Sequence, residues 1–474
     1  MSTVQPCSLL NVSPSLPAVL DPGYQPAALA TRNYRRAVAD SNKGIDFPIA
    51  LERNNGLVTR LTLRIFPPGS LHDADTLRYL ERSIKFLLYA RGGFRLHLGG
   101  PRAFADPLRA LYSPHGARAF DADLMRKSFD LPFETVCSDP ASLPKEKEAV
   151  ISIGGHLEGC RIGFDLGASD YKIAAVIDGQ EVFTTELPWA PTVEPDPAYH
   201  YAKLNEGLKL AAKHMPRVDA IGGSSAGIII NNEIKVASLF RAVPQDKFER
   251  DGKTLFHRLK TEWKIPFEVA NDGDVTALAG ALSLGRNAML GVAMGSSEAG
   301  GYLDRQGRIL GWLNELAFAP VDFNLTTVAD EWSGDIGVGA LYFSQQATNK
   351  LAPAAGFAFP PDQKLPERLK EVQHRCDSGD LQAAKIFDTI GVYLGYTIPH
   401  YADFYDLENL LILGRVTSGQ GGEIILNKAR EVLSREFPDV ANRVTIHVPD
   451  EKSRRVGQAV AAASLPAIAH QPKP

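Results

Sequence analysis

Two separated segments of the chain follow the same plan, in which a strand, a glycine-containing turn and a second strand come in succession. The first segment is RIGFDLGASDYKIAAVIDGQEVFTTELPW, residues 161–189, and its hairpin is followed by a third strand. The second segment is NAMLGVAMGSSEAGGYLDRQGRILGW, residues 287–312. No shorter repeat is visible in the sequence, so the two strand pairs predict two lobes that are built alike.

The length and charge of the chain agree with a protein of several domains that binds a small molecule. A chain of 474 residues exceeds what one hydrophobic core usually fills, so we expect at least two domains. Its 44% hydrophobic and 22% charged residues are typical of a water-soluble globular protein. The formal net charge is only −4 and no run of Lys and Arg stands out, which argues against nucleic acid or a membrane surface as partner.

The cysteines and the N-terminal sequence favour the cytoplasm. The four cysteines lie far apart and form no metal-ligand pair, as an unoxidised cytoplasmic protein tolerates, and the lone pair His156 and Cys160 is not expected to bind a metal. The N-terminal sequence MSTVQPCSLLNVSPSLPAVLDPGYQP has no basic region followed by an apolar core. No segment offers roughly 18 uninterrupted apolar residues. We therefore expect neither export nor membrane insertion.

Residues 1–150 are predicted to form a separate α/β module, with residues 1 to about 40 as a flexible surface arm. VTRLTLRIF alternates as a strand, DADTLRYLERSIKFLLYARGG has helical spacing, and FRLHLGG alternates again. SDPASLPKEKEA, residues 138–149, is charged and contains prolines, which is typical of a linker. We therefore expect residues 151–474, which carry the informative motifs, to fold on their own.

The turn in FDLGASDYK places a carboxylate and small residues where a phosphate can approach. Asp165 ends a buried strand and can hold Mg²⁺ through water. The backbone N–H groups of Gly167, Ala168 and Ser169 follow directly, and Lys172 adds a positive charge. A hairpin turn with a solvated Asp explains the same residues.

Two later glycine segments extend this pattern. In MGSSEAGG, Gly295 removes a side chain from the turn, and Ser296 and Ser297 supply hydroxyls beside the amides. In LLILGRVTSGQGGEIILNKAREVL, a buried strand ends at Gly414 and leads through a glycine-rich loop into an amphipathic helix, whose N-terminus can approach a nucleotide. A plain hairpin and a packing crossover remain the alternatives.

The segment VANDGDVTALAGA is a strand that runs into a polar turn and then a helix of small residues. Asp272 lies at the strand end and helix start, where a carboxylate can accept a proton from a substrate hydroxyl. N-capping of the helix by Asp272 or Asp274 is an equally good explanation.

The order of these motifs follows the order of sites in the actin, hexokinase and heat-shock ATPase fold. From about residue 159 to 470 the chain resembles the ROK group of bacterial sugar kinases and related repressors. DLGASDYK resembles the first phosphate motif of that group, VANDGDVTALAGA resembles END-x-N-A-x-A-x-G-E, and RRVGQAVAAASL resembles the C-terminal helix that returns to the first lobe. The resemblance implies an α/β, two-lobed ribonuclease H-like fold, preceded here by the additional N-terminal α/β module.

The resemblance also implies roles for individual residues. Asn271 would hydrogen-bond a sugar hydroxyl, Asp272 would be the catalytic base, and Asp274 would be mainly structural. GWLNELAFAPVD resembles the G-E-[IL]-G-H segment, so Glu315 would bind two neighbouring sugar hydroxyls. The glycine turn at Gly414 and Arg415 would lie on the adenosine side. The turns at residues 167–169 and 295–297 would cradle the phosphates of ATP.

The chain departs from the family pattern in the segment that follows Glu315. Phe318 replaces the family's His, either to stack on a sugar or, as we favour, to fill core. The Cys-rich zinc segment is missing, so no zinc is expected. In its place stands ADEWSGDIGVGALYFSQQA, in which Glu331 or Asp335 can supply a substrate carboxylate, with a solvated helix cap as the alternative.

Two further departures concern the cleft. The loop GGSSAG, residues 222–227, lacks the family's Pro and offers Ser224 and Ser225 instead. Glu298 lies in the second phosphate turn, where a carboxylate costs Coulomb energy unless it points away or faces Mg²⁺.

We expect the protein to use ATP and Mg²⁺ to phosphorylate a sugar or polyol hydroxyl. The main alternative is a non-catalytic, sugar-responsive regulator or scaffold, and a third is an ATPase or hydrolase of the same fold. Residues 1–150 show strand periodicity and no basic recognition helix, so DNA binding is not expected. The oligomeric state is left open, with a homodimer as one form.

Overall fold

The structure is a computed structural model that describes residues 8–148, 153–236, 238–448 and 451–468. The expected domain boundary at about residue 150 lies outside the described residues. No helix in the described part of the chain is long and apolar enough to cross a membrane.

The N-terminal region forms a four-stranded sheet in the order β2-β1-β3-β4, with β3 and β4 parallel and the other pairs antiparallel. The predicted strand, helix and strand are confirmed as β2, α2 and β3. Asp73 and Asp75 lie in the first turn of α2 and Arg91 in the last, in agreement with the helix dipole. The elements are α1 (Ala27–Asp40), β1 (Ile45–Arg53), β2 (Leu57–Ile65), α2 (Asp73–Arg91), β3 (Arg95–Leu98), α3 (Arg102–Leu111), α4 (Ala119–Phe129) and β4 (Glu134–Cys137).

The first lobe contains a five-stranded sheet in the order β11-β8-β5-β6-β7, in which β5, β6 and β7 are antiparallel and β8 and β11 run parallel to β5. A short hairpin of β9 and β10 is separate from it. The elements are β5 (Cys160–Leu166), β6 (Asp170–Ile177), β7 (Gln180–Pro188), α5 (Pro197–Ala212), β8 (Ala220–Ser225), β9 (Ile228–Ile230), β10 (Glu233–Val236), α6 (Gln245–Lys247), α7 (Leu255–Trp263), β11 (Phe267–Asn271) and α8 (Asp272–Leu284).

The second lobe has a four-stranded sheet in the order β13-β12-β14-β15. β12 and β13 form the antiparallel hairpin, and β14 and β15 run parallel to β12. The elements are β12 (Met289–Met294), β13 (Glu298–Leu303), α9 (Gln345–Leu351), α10 (Leu365–Asp377), α11 (Leu381–Ala402), β14 (Asn409–Leu413), α12 (Gly419–Glu436), α13 (Pro438–Arg443), β15 (Thr445–His447) and α14 (Glu451–Ala463). The two lobes thus repeat one plan, an antiparallel hairpin followed by two parallel strands, as the sequence predicts.

The C-terminal helix α14 returns to the first lobe and packs directly on its sheet. A Cβ at Gly163 on β5 would overlap the carbonyl oxygen of Ala459, and one at Gly222 on β8 would overlap that of Ala462. Glycine at these two positions therefore lets the helix backbone touch the strands. The same helix packs against α8, at whose start Asn271 and Asp272 form what we call the ND motif.

The N-terminal region packs against the second lobe through one continuous apolar core. Asp21 accepts hydrogen bonds from Lys350 Nζ at 2.9 Å and from Tyr393 Oη at 2.6 Å. Residues 27–40, expected to belong to a surface arm, instead form α1, whose buried face includes Leu29, Tyr34 and Val38. That part of the arm prediction is wrong, because the apolar residues of this segment recur at helical spacing and pack against α11, α2 and β2.

The segment predicted as a linker is hydrogen-bonded to the N-terminal sheet over the residues that are described. Val58 and Lys147 exchange two backbone hydrogen bonds of 2.8 and 2.9 Å. Glu148 pairs with the buried guanidinium of Arg53 and accepts a hydrogen bond from Thr59 at 2.6 Å. Up to residue 148, then, this stretch is a part of the module and not a free connection.

Candidate functional site

The site begins where β11 ends and α8 starts. Asn271 Oδ1 accepts a hydrogen bond from Gly273 N at 2.7 Å, so Asn271 caps the helix. Its Nδ2 donates to the carbonyl of Gly227 at 2.6 Å and thereby holds the turn that follows β8. The predicted loop GGSSAG is wrong for residues 222–225, which belong to β8 and pair with β5 and β11. Because Asn271 performs the capping, the Asp272 side chain at the first helical position is not needed for it.

Asp272 has the protonation behaviour of a base near neutral pH. Burial, followed by the nearby Asp165 carboxylate, raises the pKa of Asp272 to about 7, although a 2.9 Å hydrogen bond from Gly273 N opposes this shift. A pKa close to the ambient pH is favourable for general base catalysis, because the carboxylate is then both populated and basic.

Asp165 lies at the end of β5, next to Asp272, and is held by two neighbours. Ser224 Oγ donates to Asp165 Oδ1 at 2.8 Å, and Lys172 Nζ lies 3.5 Å from Oδ2. Burial raises the pKa of Asp165 in spite of the Lys172 charge. The sequence predicts that Ser224 faces the cleft; in the structure its hydroxyl holds the Asp165 carboxylate by a hydrogen bond.

Gln458 on α14 joins these groups and was missed by the sequence analysis. Its Nε2 lies 3.2 Å from Ser224 Oγ and 3.3 Å from the carbonyl oxygen of Asp272. A single amide in the alanine-rich stretch QAVAAAS is the only sequence signal that could have indicated this position.

The first predicted phosphate turn connects β5 to β6. Gly167 N donates to the carbonyl of Asp170 at 3.0 Å, and Trp189 Nε1 donates to the carbonyl of Gly167 at 2.8 Å. Ala168 and Ser169 are exposed at the tip. The Ser169 hydroxyl donates to the Asp170 carboxylate at 2.7 Å, so the turn also carries a negative charge. Phosphate binding by this turn stays a prediction.

The second predicted phosphate turn connects β12 to β13. Gly295 N donates to Ser297 O at 3.0 Å, and the hydroxyl-bearing Ser296 and Ser297 are exposed. Glu298 points away from this turn into the core, where its Oε1 accepts a 2.8 Å hydrogen bond from Tyr401 Oη. Burial raises the pKa of Glu298 to about 8, so the carboxyl is mostly neutral at pH 7 and does not repel a phosphate at the turn.

The late glycine loop adjoins the second turn. Gly414 has φ of 107°, and a Cβ there would overlap the backbone of Met294, the last residue of β12. This contact explains why glycine is required. The side chain of Arg415 is exposed on the same loop. At the start of α12, however, Gln420 N donates to the Asp377 carboxylate at 3.0 Å, so this helix N-terminus already has an anionic partner.

Glu315 faces the ND motif from the second lobe. Burial, and then the charges of Asp272 and Asp274, raise the pKa of Glu315 to about 8. Asp274 is buried and accepts hydrogen bonds from Tyr302 N at 3.2 Å and Asn314 Nδ2 at 2.9 Å, in agreement with its predicted structural role. The pKa of Asp274 is also raised, to about 7, chiefly by burial.

The N-terminal region holds the Glu315 loop in place. Leu313 N, Asn314 N and Glu315 N donate to the last carbonyls of α2, those of Arg91, Ala90 and Tyr89, at 3.2, 3.3 and 3.0 Å. Helix ends leave such carbonyls without intrahelical partners, and here a loop of the site supplies the donors. Backbone contacts of this kind leave no signal in the sequence.

The remaining predicted contacts differ in their outcome. Ser225 is buried at the end of β8, and its hydroxyl donates to the carbonyl of Ala226 at 3.4 Å. Glu331 is exposed, and no contact within the described ranges links it to Asp272, so its substrate role stays a prediction. Asp335 is not available to substrate, because it pairs with three cations of the N-terminal region, Arg82 at 3.1 Å, Lys85 at 2.7 Å and Arg118 at 2.8 Å.

The donor set at the first turn fits Mg²⁺ held together with phosphates. Asp165 and Asp272 supply carboxylate oxygens, the ligands that this ion prefers. Besides burial, repulsion between the two carboxylates raises the pKa of Asp272, and a bound cation would relieve this repulsion. In the described part of the chain no group of three or more His, Cys, Asp and Glu side chains is arranged to hold a metal by itself. Water and phosphate oxygens would therefore have to complete the coordination.

The fold was compared with those of known proteins. No protein-family model matches the sequence, and no curated protein is similar to it. The ROK hexokinase from Thermus thermophilus superposes with a TM-score of 0.50 at 18% identity, over 64% of this chain and 97% of that chain. A ROK family transcriptional regulator, a homolog of the E. coli MLC protein, superposes with a TM-score of 0.51 at 18% identity, over 65% of this chain and 78% of that chain. A ROK family glucokinase from Streptomyces griseus in complex with glucose and AMPPNP gives a TM-score of 0.46 at 18% identity, over 64% and 98%.

The first two likenesses concern the fold, and they confirm the fold class that the sequence resemblance implies. The chain has the two-lobed α/β fold of ROK sugar kinases and ROK transcriptional regulators over about two thirds of its length, with an additional region outside the match.

Proposed function

We propose that the protein transfers the terminal phosphoryl group of ATP to a hydroxyl of a sugar or polyol. The observation that supports this most is the placement of Asp272, which has a pKa of about 7, between Asp165 at the first turn and Glu315 of the opposite lobe. A base, a phosphate-side carboxylate and a hydroxyl-binding carboxyl thus lie within electrostatic reach of one another.

The acceptor hydroxyl is bound and activated by Asp272, Asn271 and Glu315. Asp272 takes the proton of the attacking hydroxyl. Glu315, whose raised pKa keeps much of its carboxyl protonated at pH 7, can both donate to and accept from neighbouring hydroxyls. Asn271 retains one N–H and one acceptor lone pair beyond its capping contacts, so it can add a hydrogen bond to the sugar.

The donor side is formed by the two turns and the late loop. The backbone of residues 167–169 and 295–297 would cradle the phosphates, with Lys172 adding positive charge, and Gly414 and Arg415 would border the adenosine. Mg²⁺ near Asp165 supplies positive charge that offsets the phosphates. Phosphoryl transfer depends mainly on positioning and electrostatics, which this arrangement provides. The cytoplasm, where ATP is available, is the proposed compartment.

The second candidate is a sugar-responsive regulator without turnover. It is favoured by the fold shared with a ROK transcriptional regulator and by Phe318 in place of the family's His. The two candidates differ in one property, since only the kinase releases ADP in a sugar-dependent manner.

The test is ADP release with Mg-ATP across hexoses, N-acetylhexosamines, pentoses and polyols, for the natural protein and Asp272→Asn. We expect turnover with one sugar class, a rate that increases with pH through about 7, and a loss of kcat of at least about a hundredfold in the variant with sugar affinity retained. Asp123→Asn, at a carboxylate on α4 whose side chain is 46% exposed, is the matched control. Unchanged turnover in Asp272→Asn would contradict the assignment of the base, and sugar binding without any ADP release would favour the regulator.

A further inference from the structure

An exposed tryptophan lies in the segment that follows the Glu315 loop. The side chain of Trp332 is 68% exposed, although large aromatic residues are usually covered. Its neighbours Leu325 and Val328 on the same segment are also exposed, at 69% and 53%. A contiguous exposed apolar patch commonly marks a binding surface, so the groups that adjoin Trp332 decide its role.

Trp332 belongs to a chain of aromatic contacts. Its ring lies nearly parallel to that of Phe318, with an interplanar angle of 26° and centroids 6.4 Å apart. Phe318 in turn contacts Phe120 of α4 at 5.5 Å and Tyr89 of α2 at 5.4 Å between centroids. We name Trp332, Phe318 and Phe120 the aromatic platform. Two of its rings are partly exposed and the third is largely so.

The platform lies close to the proposed acceptor site along the chain. Phe318 ends the short helix that begins directly after Glu315, and Phe318 N donates to Glu315 O at 3.2 Å. Tyr89, which supports Phe318 with its ring, accepts the hydrogen bond from Glu315 N through its carbonyl. The platform and the Glu315 loop therefore share the same support on α2.

The segment that carries Trp332 is rigidly held. Asp330 accepts from Trp332 N at 3.2 Å and from Ser333 N at 2.7 Å, which fixes the turn. Asp335 pairs with the buried cations of α2 and with Arg118. Arginine at position 118 directly precedes α4, the helix that presents Phe120. The Asp335–Arg118 ion pair therefore links the segment that carries Trp332 to the helix that carries Phe120. Because both are already fixed, less conformational entropy is lost when a ligand binds.

We infer that the aromatic platform is an outer carbohydrate subsite, and that the acceptor carries a second sugar ring beyond the one that reacts. The inference rests on the proposed function, because it takes Asp272 and Glu315 as the site of the first ring. A pyranose presents a face of C–H groups, which packs on an aromatic ring, while its hydroxyls remain in water at the rim. Trp332 offers such a ring face with water around it, and Glu331 beside it offers acceptors for the hydroxyls.

The experiment measures binding by calorimetry without ATP, for maltose, cellobiose, lactose, sucrose and diacetylchitobiose beside their constituent monosaccharides. We expect at least one disaccharide to bind roughly three- to tenfold more tightly than its monosaccharide, the gain that one aromatic contact provides. Trp332→Ala should remove that gain and leave monosaccharide affinity unchanged. Val328→Ala, on the same exposed segment, is the matched control and should keep the gain.

Three results would overturn the subsite. The first is that no disaccharide binds more tightly than its monosaccharide, and the second is that a preference persists in Trp332→Ala. The third is that Trp332→Ala changes the oligomeric state without changing the sugar affinity, which would make the platform a protein contact. Because binding is measured without ATP, the kinase proposal is tested separately. A disaccharide preference without ADP release supports the subsite and contradicts the kinase, whereas turnover of monosaccharides without any preference does the reverse.

Discussion

At the scale of single residues, the site and the core beside it contain carboxyl groups whose pKa values are raised by burial. Asp272, Asp274, Glu298 and Glu315 all have pKa values raised to between about 7 and about 8. The sequence indicated Asp272 and Glu315 through their motifs, and the structure brings them within electrostatic reach of each other. It could not indicate how Glu298 points, because the direction of one side chain at a strand start depends on the packing of Tyr401 and Gly339 around it.

Glu298 makes the stability of the protein depend on pH. Its pKa is higher in the folded protein, about 8, than the ordinary 4.5, so its contribution is complete below about pH 4.5 and is lost as pH increases through about 8. We expect the free energy of unfolding to fall by a few kcal/mol over this window, on the order of 1.4 kcal/mol per pKa unit. Glu298→Gln should flatten that decline, as measured by urea unfolding at several pH values.

The control for Glu298→Gln is Glu331→Gln, because Glu331 is exposed and its charge is solvated. That variant should follow the natural protein at every pH. An unchanged pH dependence in Glu298→Gln would show that Glu298 is not the group responsible, and the decline would then belong to the remaining carboxyls of the site.

At the scale of elements, sequence periodicity identified many of the strands and helices and missed β1 and α1. β2, α2, β3, the two hairpins and α8 were predicted because their apolar spacing is unbroken. β1 was missed, since Pro48 interrupts the apolar run IDFPIALER. The strand tolerates this proline because pairing with β3 begins only at Ile49, so Pro48 has a strand partner on the β2 side alone. α1 was missed because it follows a stretch rich in Pro and Ser.

The close packing of α14 on the first lobe gives a prediction at this scale. Gly222→Ala places a methyl group on the carbonyl of Ala462, so we expect a loss of at least about 1–3 kcal/mol in the free energy of unfolding. Gly457→Ala is the matched control on the helix itself, where a Cβ meets only Ala279 at 3.8 Å, and it should stabilise by roughly 0.5–1 kcal/mol because glycine is a poor helix former. Urea unfolding measures both. Equal effects of the two variants would show that α14 is not in direct contact with the strand.

At the scale of the whole molecule, the N-terminal region touches both lobes. It shares an apolar core with the second lobe and supplies the carbonyls that hold the Glu315 loop. Asp130, at the end of α4, pairs with Lys235 and with Lys253 of the first lobe, the latter at 2.6 Å between Oδ1 and Nζ. The sequence suggested an independent module because such contacts between distant segments are not encoded in local patterns.

These contacts change the expectation for the fragment 151–474. The sequence alone suggested that this fragment folds by itself. Without residues 1–150, however, the surface of α11 that packs against α1 is exposed to water. We expect the fragment to be insoluble or to unfold at a markedly lower temperature, and co-expression of residues 1–150 to restore a soluble complex. Circular dichroism of the purified species tests this. A monomeric fragment with the melting temperature of the full chain would show that the module is dispensable.

The three hydrogen bonds between the end of α2 and the Glu315 loop join main-chain atoms only. These three bonds therefore do not themselves depend on which side chains residues 89–91 and 313–315 carry, only on the position of their main chain. An insertion or deletion of one residue near the end of α2 would turn its terminal carbonyls by about 100° and break all three bonds at once. The spacing along α2, more than its composition, is thus under constraint, and homologous chains should vary there by substitution and not by length.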